Sequence, residues 1–189
     1  NGTNNGTTEI QTNVWTPRLN GESDTLPSTA LVSSDLQFES PYSNFSLNFD
    51  GTGDKVDFGD SDVFSFGDGL TDSPLSFSVW INLATLSAPH CVINKQTSSS
   101  NGEYKIYIST AGKIYIELAN NGGEANGARG IQSGTNLSID QWYHLAFTYD
   151  GRGGSSAYDG MNLYINGSLD TSTDWSYLSY TAMNNTNAD

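Results

Sequence analysis

Leu75, Phe77, Val79, Ile81 and Leu83 alternate with Ser76, Ser78, Trp80 and Asn82 in one unbroken stretch. Successive side chains on an extended strand point to opposite faces. This two-residue period therefore sets one apolar face on a core and the other face outside it. A helix would space its apolar residues three and four apart, and no convincing stretch of that kind interrupts the pattern. The alternation returns in Tyr104–Ser109, Lys113–Leu118 and Trp142–Tyr149. Repeated amphipathic strands of this kind close a core by layering sheet on sheet. The expected fold is all-β, an antiparallel two-sheet jelly-roll sandwich.

Turn chemistry divides the strands. Thr110-Ala111-Gly112 joins Tyr104–Ser109 to Lys113–Leu118, with Gly112 supplying the positive φ of a short hairpin connection. Asn166-Gly167, between Leu163-Tyr164-Ile165 and Ser168-Leu169, predicts a second hairpin on a type I′ turn. Phe45, Leu47 and Phe49 read as one face of a short strand, Val56–Phe58 as another, and Cys91–Lys95 as a third. Segments 59–73, 96–102, 120–130 and 150–160 read as polar or glycine-rich loops, with Phe64 and Phe66 tethering the first of them. Periodicity fades after Asp170. Residues 1–40 show none, and read as an extended arm or linker before a sandwich spanning 41–189. Val14-Trp15-Thr16-Pro17 and Leu31-Val32 leave two readings of that arm, anchored or mobile.

At 189 residues the chain suits one domain with a sizeable core. Seven basic against 21 acidic residues give a net charge of −14, which repels phosphate backbones and anionic lipid. Nucleic acid is an unexpected partner, and so is a membrane surface. No run approaches the roughly 20 apolar residues of a membrane span. Cys91 is the only cysteine, so no intrachain disulfide forms, and beside Val92 and Ile93 it reads as a small buried hydrophobe. Much Ser, Thr, Asn and Gly with little Lys suits an extracellular or virion surface. Sequons stand at Asn1, Asn5, Asn44, Asn136, Asn166 and Asn184.

Chemistry-bearing patterns are sparse. Glycoside hydrolysis needs two carboxyls set across the scissile bond. The only Glu-x-Asp, Glu22-Ser23-Asp24, lies in the irregular arm, and Glu117 is the single Glu in a confident strand. His144 reads as a packing residue, and His90 has no partner at metal-ligand spacing. No catalytic residues are expected. Asp50, Asp54 and Asp57 cluster about a glycine turn that could gather Ca²⁺, with Asp60, Asp62, Asp68 and Asp72 close behind. Solvated aspartates capping their own turns are the alternative. Aromatic faces beside Asn and Asp suit glycans, which nominates Tyr158, Asp159, Trp175 and Tyr177, with Tyr180 near them.

Four blocks in order resemble laminin-G-like domains of the concanavalin A-like lectin/glucanase superfamily: Ser46–Val56, Phe77–Ile81, Gln141–Gly151 and Leu163–Leu169. The resemblance implies a jelly roll and admits calcium-dependent members. The glucanase branch's Glu-x-Asp-x-x-Glu strand is absent. Segments 26–32 and 35–42 resemble the leader of such domains in marine tailed-phage virion proteins, which implies a particle surface, host-surface glycans, neighbouring subunits and a homo-oligomer. Such domains usually continue past the Tyr180–Thr186 region with closing strands, so the expectation is that this sequence is a partial product or that the N-terminal arm or a neighbouring subunit takes their place. The resulting expectation is a non-catalytic adhesion module with weak glycan binding. The alternatives are a purely structural decoration or cement protein, and a degenerate glucanase.

Overall fold

The computed structural model describes residues 36–37, 46–98, 101–120 and 124–186. Much of the arm lies outside them, with Trp15, Glu22, Asp24, Leu31, Val32 and the sequons at Asn1, Asn5 and Asn44. The chain divides between Asp57 and Phe58 into two units.

In the first unit, β1 (Leu36–Gln37) pairs antiparallel with β2 (Ser46–Leu47), Leu36 opposite Leu47. The strand expected over 45–49 is thus only two residues long here, and Leu47 and Phe49 are exposed. Val56–Phe58 forms no strand at all, and Val56 and Phe58 are also exposed. Apolar alternation makes a strand only where a partner edge accepts its backbone groups.

The second unit holds two antiparallel sheets. Its strands are β3 (Leu75–Asn82), β4 (His90–Ser98), β5 (Asn101–Ile108), β6 (Lys113–Ala119), β7 (Ala128–Asn136), β8 (Trp142–Tyr149), β9 (Met161–Ile165), β10 (Ser168–Leu169) and β11 (Thr173–Tyr177). One sheet runs β10-β9-β8-β3 and the other β11-β7-β6-β5-β4. Leu75, Phe77, Val79 and Ile81 face inward from β3, opposite Tyr149, Phe147, Leu145 and Tyr143 of β8. Ile106, Ile108, Ile114, Ile116 and Leu118 answer from the other sheet, none more than 6% exposed. Phe77 joins the layers, its ring 6.3 Å from Phe147 and 5.5 Å from Tyr104. Each such side chain contributes about 1.5–3 kcal/mol by leaving water. The all-β sandwich read from the period is the fold found.

Both hairpins form as read. Gly112 has φ 76°, and a Cβ there would strike the Leu137 carbonyl, so the β5–β6 turn demands glycine. Asn166 and Gly167, at φ 52° and 81°, make the type I′ turn between β9 and β10.

Other readings are corrected. Segment 96–102 is no simple loop: Gln96 pairs Gly102 and Ser98 pairs Asn101, so β4 and β5 run on through it. Three irregularities bend the pair, leaving Val92, Glu103 and Thr97 without opposite numbers. Cys91 consequently pairs Tyr107 on the outer face and is exposed, not buried. The loop over 120–130 ends early, because β7 begins at Ala128. Beyond Asp170, where the period fades, β11 pairs with β7 throughout its length. After it a strap without regular structure buries Tyr180, Ala182, Met183 and Thr186. Polar and glycine-rich strands hide from hydrophobic alternation; only their neighbours reveal them.

Candidate functional site

Alternation turns Lys105 and Tyr107 of β5 away from the core, and β6 does the same with Lys113, Tyr115 and Glu117. Register then lines these residues into rows across the outer face of the five-stranded sheet. Tyr107, Tyr115, Gln132 and Thr173 form one row, and Asn94, Lys105, Glu117, Gly130 and Trp175 the next. Tyr107 and Tyr115 stack in parallel, with ring centroids 4.9 Å apart and planes within 5°. The Lys105 ammonium lies 5.5 Å from the Tyr107 ring centre and 3.3 Å from a Glu117 carboxylate oxygen. Gly130 gives Trp175 a neighbour without a side chain. A Cβ there would strike the Ile116 carbonyl. Tyr177 follows on the same face of β11 and is 52% exposed.

The four residues proposed for glycan contact are therefore split. Trp175 and Tyr177 stand on the outer face of edge strand β11. Tyr158 and Asp159 belong to the 3-10 turn Gly154–Gly160, where Tyr158 packs against the core. The Arg129 guanidinium lies 5.7 Å from the Tyr158 ring centre. Arg129 stands opposite buried Leu118, on the inward side of the sheet from Trp175. Tyr180 is no surface aromatic, being 4% exposed with its hydroxyl donating to Asp72. Reading by loops missed Tyr107, Tyr115 and Gln132. The polar half of each alternating strand was their signal, and strand register was the missing information.

Asp50, Asp54 and Asp57 serve their own turn. The Asp50 and Thr52 amides donate to Asp54 and Asp50 carboxylates at 2.9 and 2.6 Å, and the Lys55 ammonium donates to Asp57 at 2.6 Å. Among the described residues no three His, Cys, Asp or Glu side chains converge on a metal position. The following aspartates have separate duties. Asp68 accepts from the Leu70 and Thr71 amides, which hold its carboxyl below the usual range. Asp62 accepts from Asn185 at 2.9 Å. Asp72 accepts from the Tyr149 and Tyr180 hydroxyls and the Met183 amide, each at 2.7 Å. Burial raises the Asp72 carboxyl despite these donors.

Glu103 and Glu117 are the two buried glutamates among the described residues. Glu103 bulges toward Lys95, which stands opposite inward-facing Tyr104, whereas Glu117 lies on the outer face beside Lys105. They cannot flank one scissile bond from opposite sides of a sheet. His144 sits on the outer face of the four-stranded sheet, 2.8 Å from the Ser78 hydroxyl and 5.0 Å from the Trp80 ring. The His90 ring meets the Thr85 carbonyl at 2.7 Å. No described helix is long and apolar enough to cross a membrane.

No curated protein matches the chain. Among solved structures it is similar to a native heptameric SAP-like pentraxin from Limulus polyphemus, at 16% identity and a TM-score of 0.35. That likeness covers 66% of this chain and 63% of the pentraxin chain. A laminin-G-like family model, described as the concanavalin A-like lectin/glucanases superfamily, matches residues 50–188. With two antiparallel sheets enclosing an apolar core over most of that span, this chain belongs to the concanavalin A-like lectin/glucanase superfamily.

Proposed function

We propose that this chain is a non-catalytic adhesion module, holding an extracellular or virion-surface assembly to glycans through the outer face of its five-stranded sheet. One observation carries the reading: stacked Tyr107 and Tyr115, with Lys105, Gln132, Trp175 and Tyr177, lie in register across that face. Sugar rings pack their C–H faces on aromatic planes and offer hydroxyls to amide and charged groups. A broad sheet face encloses little of a sugar, so each site binds weakly, at about millimolar Kd or about −4 kcal/mol. Copies displayed together on a particle would raise that through avidity. Binding rather than hydrolysis is supported by the separation of Glu103 and Glu117 onto opposite faces of the sheet.

A glycan array followed by calorimetry tests the proposal. Saturable binding to at least one oligosaccharide is expected, weakened about tenfold or more by Trp175→Ala combined with Tyr115→Ala. Silence on every glycan, or binding untouched by both changes, refutes it and favours a structural role through protein contacts. Release of reducing sugar from any bound oligosaccharide would refute the non-catalytic reading.

A further inference from the structure

The Lys95 side chain is 6% exposed, and its ammonium lies among four oxygens. Glu103 Oε1 is at 2.8 Å, Asp60 Oδ1 and Ser65 Oγ at 2.9 Å, and the Thr186 carbonyl at 3.3 Å. Those oxygens come from the segment before β3, from the bulge in β5 and from the end of the strap. Glu103 is 0% exposed, and its other oxygen, Oε2, has no hydrogen-bond partner among the described residues. Its Oε1 also accepts from the Thr186 amide at 2.8 Å and the Ser65 hydroxyl at 3.0 Å.

Two carboxylates, a hydroxyl and a main-chain carbonyl are the donor chemistry of a hard-cation site. Calcium would need those oxygens at about 2.3–2.6 Å, a contraction of about half an ångström from the present shell. The unused Glu103 Oε2 would be a further ligand. At the centre stands instead a cation on a four-carbon tether, which cannot diffuse away.

We infer that the Lys95 ammonium is a built-in substitute for a structural divalent cation, fastening the strap at Thr186 to the five-stranded sheet and making that junction independent of calcium. The two acids and the main-chain carbonyl meet because a positive charge stands between them. Without it partly exposed Asp60 and fully buried Glu103 would repel each other, and the Thr186 carbonyl would lose its donor. Any ion of suitable size and charge that enters should restore the junction. This inference is independent of glycan binding, since it concerns the opposite side of the sheet from Trp175.

Thermal unfolding and hydrogen exchange at the Thr186 amide, in chelator and in millimolar calcium, test it on the full chain. In the wild type neither calcium nor chelator should change Thr186 protection. Lys95→Ala should lower Tm by roughly 10 °C in chelator. Calcium should then recover about half of that loss and return protection at Thr186. Lys95→Met, which fills the space without charge, should fall and stay down in calcium. So should Lys95→Ala combined with Glu103→Gln. If Lys95→Ala does not fold in chelator, refolding in calcium decides the matter: recovery supports the inference and failure in both overturns it. Indifference of Lys95→Ala to calcium, or calcium-dependent Thr186 protection in the wild type, also overturns it.

Discussion

The sheet core and the C-terminal strap both bury side chains, yet different forces hold them. Between the sheets, Ile108, Ile114, Leu118, Phe147 and Leu163 pack into one apolar cluster in a regular two-residue rhythm. Along the strap, Tyr180, Met183, Asn185 and Thr186 are fixed one at a time by Asp72, Asp62, Glu103 and Lys95. The core is non-directional and additive in area, so it tolerates volume-conserving changes. The strap relies on directional bonds to the carboxylates of buried Glu103, half-buried Asp72 and exposed Asp62, so loss of one partner leaves others unsatisfied. Burial alone therefore does not say what stabilises a segment.

Phe147→Ala probes the core and should have the largest effect, lowering unfolding free energy by about 4 kcal/mol in urea titration. Amides of both sheets should lose protection together, because Phe147 stacks on Phe77, whose ring meets Tyr104 of the other sheet. Asp72→Ala probes the strap. It abandons two buried tyrosine hydroxyls and the Met183 amide, and should cost about 3 kcal/mol. Exchange should quicken first over 180–186 while β5, β6 and β8 stay protected. Uniform loss across the sheets in Asp72→Ala would erase the proposed distinction.

The smallest effect is on pH dependence. Burial raises the folded Asp72 carboxyl above 3.8, so the folded chain holds that proton more tightly than the unfolded chain. Its contribution to stability is present below that value and lost as pH rises through the folded one. Wild-type stability measured against Asp72→Asn should therefore improve as pH falls from neutral toward about 4. Burial pulls the Lys95 ammonium down, but its bonds to Glu103 and Asp60 outweigh this and raise it. The Lys95 contribution thus persists through neutral pH and fades only in alkali, as pH climbs through its folded value. Wild-type stability that rose against Asp72→Asn between pH 4 and neutral would contradict the first sign, and a Lys95 contribution lost by neutral pH the second.

Legibility in the sequence followed the same division. Leu75–Ile81 and Trp142–Tyr149 announce their strands because one face of each lines the apolar core. Gly112 and Asn166-Gly167 announce their turns because few other residues take positive φ without strain. Ala128–Asn136 and Thr173–Tyr177 announce nothing, since Gly, Ser, Thr and Gln serve strand and loop alike. Phe49, Val56 and Phe58 show the opposite failure, an apolar pattern with no strand built upon it. The outer-face aromatics were visible as the polar half of each alternation. That Tyr107 stacks on Tyr115, and that Trp175 lies two strands from Glu117, depends on register between distant segments.

By itself the order of residues determined the two-sheet architecture, its inward faces and its two tight hairpins, because side-chain period and backbone φ are local properties. Only the tertiary structure decided which acids meet which donors. Asp60, Lys95, Glu103 and Thr186 are scattered along the chain and become one cluster only after the strap folds back. Electrostatic partnership depends on distance in space and on exclusion of water, neither of which is written in sequence spacing.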